Sequence, residues 1–88
     1  MDEKQWEKHL AAEGFGNIFV WTDGPHVFYP DHTHGKTTAH IILEGEMTIV
    51  SEGAAQTVKA GGRFDVAANA VHSATMGPKG CQYMVGEK

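Results

Sequence analysis

A chain of 88 residues leaves room for one domain, residues 1–88, and none for a second. Its net charge of −4 and its scattered basic residues argue against nucleic acid as the main partner. No apolar run approaches the roughly 20 residues of a membrane span, and the single cysteine, Cys81, excludes an internal disulfide and fits a reducing compartment. The opening run Met1-Asp2-Glu3-Lys4-Gln5 is polar and acidic where a secretory leader is basic and then apolar. The expectation is a cytoplasmic protein with no nucleic-acid or membrane contact. It is small enough that a metal, an oligomer interface or both would help to stabilise it.

A short helix is expected at 2–13. Asp2 can cap it with Gln5 three residues on, Trp6 and Leu10 lie one turn apart on one face, and Gly14 can end it. From 16 to 86 the pattern is β. Candidate strands fall at 17–22, 27–29, 37–43, 47–51, 56–59, 64–67, 71–76 and 81–85. Turn-formers separate them: Asp23-Gly24-Pro25, Glu44-Gly45-Glu46, Glu52-Gly53, Gly61-Gly62, Asn69 and Gly77-Pro78. Many short strands at this spacing describe an all-β sandwich or small barrel.

In the run 37–43, Thr38, His40 and Ile42 share one face while Ala39, Ile41 and Leu43 share the other. Both faces carry apolar residues, so both need cover, and a second subunit is the expected source of one. A homodimer follows. Phe28, Phe64, Trp21, Met47, Ile49, Met76 and Tyr83 belong to the core, with one or two of them at a pocket mouth. Cys81 reads as a small buried hydrophobe. Arg63 alternates with Phe64 and Val66, which places it on the surface beside Asp65, although a lone arginine could instead clamp a ligand carboxylate.

Six histidines carry the chemistry. His32 and His34, at i and i+2 on an extended segment, point to one face. Met by His72 from another strand, they make three convergent nitrogen donors, half or more of a transition-metal coordination sphere. The pair alone is a weak sign, and its context decides. His26 beside Pro25 reads as a loop or rim residue, and His9 as a solvent-facing helix residue.

That context resembles the cupins. The runs Tyr29-Pro30-Asp31-His32-Thr33-His34 and Ile41-Ile42-Leu43-Glu44-Gly45-Glu46 look like the family's first signature, and the stretch from Lys59 through Gly61 and Asn69 to His72 looks like its second. The order and spacing of His32, His34, Gly45, Gly61 and His72 carry the resemblance, which covers residues 27–85. It implies a small double-stranded β-helix, the jelly-roll barrel of the cupins, here preceded by a short N-terminal α-helix. It also implies a divalent transition metal on His32, His34 and His72.

The departures are informative. The first-signature glycine falls at His26, and the metal-binding glutamate at Thr38. The second signature's proline, glycine and asparagine fall at Ala67, Asn69 and Met76. Asn69 is a sound replacement because Asn tolerates the left-handed backbone, whereas the hydroxyl of Thr38 is a poor ligand. His40 lies two residues beyond Thr38 on the same face. Either His40 completes a four-histidine site, or a three-histidine site keeps open positions and His40 belongs to the pocket wall; the family contains both arrangements.

All-nitrogen ligation excludes Mg and Ca and leaves Fe, Mn, Co, Ni, Cu and Zn. Neutral ligands leave the dication's charge uncompensated, so a small anionic ligand is expected at the open position. A redox-active metal there supports oxygen activation, and zinc or nickel supports Lewis-acid polarisation. The family's dioxygenases and isomerases supply the enzyme reading. The other reading is a small-molecule-binding or sensing cupin, favoured by Thr38 standing where the family has glutamate. No general base is evident: Glu44 and Glu46 flank the Gly45 turn, and Asp31 serves at most to orient His34 or cap the turn.

Overall fold

The computed structural model describes all 88 residues. It comprises one helix, α1 (Glu3–Ala12), and six strands: β1 (Gly16–Asp23), β2 (Phe28–His32), β3 (Thr38–Ser51), β4 (Ala54–Lys59), β5 (Arg63–Val66) and β6 (His72–Glu87). No helix is long and apolar enough to cross a membrane.

The helix forms as its ends dictate. Asp2 accepts from the Gln5 backbone N–H at 2.9 Å and the Gln5 side chain accepts from the Asp2 N–H at 2.9 Å, a reciprocal cap. At the other end Gly14 takes φ +96°. The N–H groups of Gly14 and Phe15 return to the carbonyls of Ala11 and Leu10, and Leu10 packs with Phe15.

Two strands dominate the rest. The runs expected at 37–43 and 47–51 are one strand, β3, and those at 71–76 and 81–85 are one strand, β6. Gly45 and Gly77-Pro78 therefore do not end strands, as the sequence suggested; they lie inside them. β3 and β6 pair antiparallel along their whole length, from Thr38 opposite Glu87 to Ser51 opposite His72, with register shifts around Gly45. Gly45 and Gly80 both have positive φ, and a Cβ on Gly45 would strike the Gly80 carbonyl oxygen. The two backbones thus touch at the bend, where only glycine fits.

The bend makes each long strand a member of two sheets. One layer is β2, the first half of β6, the second half of β3, and β4; the other is β1, the second half of β6, the first half of β3, and β5. Between them lies the main core, which includes Ile42, Met47, Ile49, Phe64, Met76 and Tyr83. β3 and β4 join through Glu52-Gly53, both with positive φ, as a tight hairpin requires.

The alternation expected in β3 is present: Ile42 joins the main core, and Ala39 and Ile41 join a second cluster on the opposite face. That second face is covered by the chain's own helix, through Leu10, and by Phe15 just beyond it. This strand therefore gives no ground for a homodimer. Of the residues expected in the core or at a pocket mouth, Trp21 lines the cavity between the two sheets and is half exposed, whereas Phe28 lies exposed outside both cavity and core.

Candidate metal centre and its cavity

His32 ends β2 and His72 begins β6, and the two are direct cross-strand partners. The β2–β6 register is irregular between Tyr29 and His32, and His34 follows two residues on, beyond the strand. The three rings gather closely: centroids are 4.2 Å apart for His32 and His72, 4.8 Å for His32 and His34, and 5.0 Å for His34 and His72. One ring nitrogen from each lies within 4.8 Å of the others.

Backbone carbonyls orient two of these rings by the same device. His32 Nδ1 lies 2.7 Å from the Pro30 carbonyl oxygen, and His72 Nδ1 lies 3.0 Å from that of Ala70. A carbonyl only accepts, so in the neutral ring Nδ1 carries the proton and Nε2 keeps its lone pair free. This is how metal-ligating histidines are commonly held. It is the carbonyl of Pro30, and not Asp31, that sets a ring here; Asp31 is exposed.

The third ligand is placed through the backbone. Asn69, at φ +67°, donates its N–H to the His34 carbonyl at 2.7 Å. The turn that carries Asn69 and Ala70 thus supports both His34 and His72. His26 also has positive φ (+60°), so the two positions where the resemblance expects glycine both take a left-handed backbone here with another side chain in place. Partial desolvation of this otherwise exposed ring, reinforced by His32 and His72, lowers the His34 pKa and so favours its ligating form. Three ring nitrogens gathered this closely suit a divalent cation, and the donor set fits one.

The trio opens on a cavity of about 270 Å³ between the two sheets. Phe19, Val85, His40 and Phe64, cross-strand neighbours on β1, β6, β3 and β5, make one row of the facing wall. Trp21 stands exposed at the mouth. His40 is therefore in the cavity but outside the trio. Its ring stacks on Phe64, centroids 4.4 Å apart and 7° from parallel, and its Nδ1 is buried without a partner. Burial, with His72 and His34 nearby, pushes its pKa down to about 4. Thr38 is buried, its hydroxyl also unpartnered, and it does not line the cavity. The structure thus gathers three of the four candidate ligands and leaves His40 across from them.

One cluster went unread in the sequence. Asp23 accepts from Trp21 Nε1 at 3.0 Å, from the Tyr29 hydroxyl at 2.9 Å and from the Tyr83 hydroxyl at 2.7 Å. Burial and this carboxylate raise both tyrosine pKa values. No local pattern links residues 21, 23, 29 and 83; only the fold brings them together.

The remaining candidates behave as surface and core groups. Arg63 binds Glu13 through two contacts of 2.7 and 2.9 Å and Asp65 through two of 2.9 and 3.0 Å, tying the helix end to β5. His9 pairs with Glu13 on the helix surface. Cys81 is buried in the main core, and burial, with Asp23 and Glu46 nearby, pushes its thiol up to about 11. Glu44 is exposed, and no carboxylate lines the cavity.

No protein-family model and no curated protein matches the chain in sequence. Its fold does match solved structures. The DMSP lyase DddQ of Ruegeria pomeroyi aligns with a TM-score of 0.74 at 19% identity, over 81% of this chain and 36% of that one. A cupin superfamily protein of Desulfitobacterium hafniense gives 0.72 at 14%, over 80% and 64%. A cupin-2 domain containing protein of Shewanella frigidimarina gives 0.70 at 20%, over 80% and 67%. The chain has the cupin fold. It spans about a third of the length of the lyase and about two thirds of the other two.

Proposed function

We propose that this chain holds one divalent transition metal on His32, His34 and His72 and uses it to bind a small anion in the adjoining cavity. One observation carries the reading: the Nδ1 atoms of His32 and His72 are each taken by a backbone carbonyl, which leaves their Nε2 lone pairs to converge with His34. The metal is one of Fe, Mn, Co, Ni, Cu or Zn. When bound it supplies Lewis-acid polarisation or, if redox-active, oxygen activation. The protein's own residues contribute three imidazole ligands, a largely apolar cavity and a fixed ring orientation at His32 and His72. Isomerisation and dioxygenation are the reaction classes this favours. The lyase among its structural neighbours adds elimination as a third.

A second reading, binding or sensing without turnover, draws on a specific feature. The cavity holds no carboxylate, and the hydroxyls of its two tyrosines already donate to Asp23, which leaves the neutral imidazole of His40 as the one candidate base outside the trio. Metal analysis of untagged protein tests the common core: close to one transition metal per chain is expected, and a stable protein that takes up none overturns it. Conversion of an added anion then separates enzyme from sensor. A reducing cytoplasm is the setting we infer from the unpaired Cys81. A homodimer is proposed on the sheet face opposite the helix, where Phe28, Val50 and Thr57 are exposed and uncharged. Sedimentation at micromolar concentration checks it.

A further inference from the structure

The cavity beyond the histidine trio is lined with aromatic rings, and their donors are already engaged. Trp21, Tyr29 and Tyr83 line the cavity, and all three polar hydrogens go to the single carboxylate of Asp23. These side chains come from β1, β2 and β6, so Asp23 holds rings from both sheets in one wall. The lining contains no lysine or arginine. The chain's one arginine is occupied outside by Glu13 and Asp65. A bound metal would be the only positive centre facing the cavity, and a negative charge stands behind the opposite wall.

Such a space discriminates between anions. One carboxylate can reach the metal. A flat apolar body behind it would leave water for Phe19, Trp21 and Phe64, gaining area and ring stacking. A second carboxylate at the far end would lose its hydration with no cation to replace it and would approach Asp23.

We propose that the cavity selects small monocarboxylates with a flat, apolar body and rejects the corresponding dicarboxylates, with Trp21 as the residue that reads the body. This rests on the metal-holding reading above. Asp23 acts through the rings it positions and through its charge, without touching the ligand.

The test uses the full chain loaded with cobalt(II), in a Trp6→Phe background so that Trp21 is the only indole. The cobalt absorption bands report the metal's ligands, and Trp21 fluorescence reports the cavity. Benzoate, acetate and terephthalate are titrated in turn. Benzoate is expected to shift both signals and to bind roughly tenfold more tightly than either acetate or terephthalate. Trp21→Leu should bring benzoate down towards acetate while leaving acetate unchanged. Terephthalate binding as tightly as benzoate, or benzoate no better than acetate, overturns the selectivity while the metal reading stands. Protein that shows no cobalt bands at all overturns both.

Discussion

The histidine trio stands on one sheet of this barrel and His40 on the other, in the same cavity, and the difference between them lies in the second ring nitrogen. In His32 and His72 that nitrogen meets a backbone carbonyl, so the free lone pair has a fixed direction. In His40 it is buried with no partner, against a stacked phenyl ring. The first environment builds a ligand. The second keeps an imidazole neutral by withholding water. A histidine's role is set here by its neighbour across the ring, and not by its presence in the pocket.

The sharpest way to break this contrast is to remove one residue from each wall. His34→Ala or His72→Ala should weaken metal binding by more than about 100-fold, since losing a ligand exceeds the loss of a supporting partner. His40→Ala should change it by less than about threefold in the same competition titration. Equal losses on both walls would erase the distinction and make His40 a fourth ligand.

Acid provides a second test. The His40 pKa falls from 6.5 unfolded to about 4 folded. Above pH 6.5 both states are neutral and the group contributes no pH dependence. As pH drops from 6.5 towards 4 the unfolded chain takes up a proton that the folded one refuses, so stability declines. The loss approaches the order of 3 kcal/mol. Denaturation of metal-free protein at pH 7 and pH 4.5 should show it, and His40→Leu should make the difference smaller than in wild type, with the remainder including His34.

A smaller effect probes the turn behind the trio. Asn69→Val, which resists the left-handed backbone, should weaken metal binding by about tenfold, whereas Asn69→Gly should stay within about threefold. The smallest concerns the outside of the second sheet. Arg63→Ala should cost about 0.5–1 kcal/mol, as exposed ion pairs do, with metal affinity unchanged.

Much of this was legible before any coordinates. The cap at Asp2 and Gln5 and the stop at Gly14 are local signals, and each determined its own structure. The shared face of His32 and His34 follows from their spacing, whereas their meeting with His72 and the left-handed backbone at Asn69 follow from the resemblance to the cupin signatures. Other features were hidden because they are made by distant residues. Glycine marks a turn and a bend alike, so the sequence around Gly45 and Gly77 suggests strand ends although each lies inside a continuous strand. Cover for Ala39 and Ile41 comes from a helix some 30 residues earlier, which no periodicity within β3 can reveal. The same is true of Asp23, whose partners span residues 21 to 83.

The two bent strands have a dynamic consequence. Because β3 and β6 each run through both sheets, neither sheet can open while the other stays closed. Backbone amides of both layers should therefore exchange with solvent through one shared global event, at one free energy. The helix α1, held through Leu10 and by the Arg63–Glu13 contact at its end, should exchange ahead of these two strands. The metal-binding end and the apolar wall would be lost together or not at all.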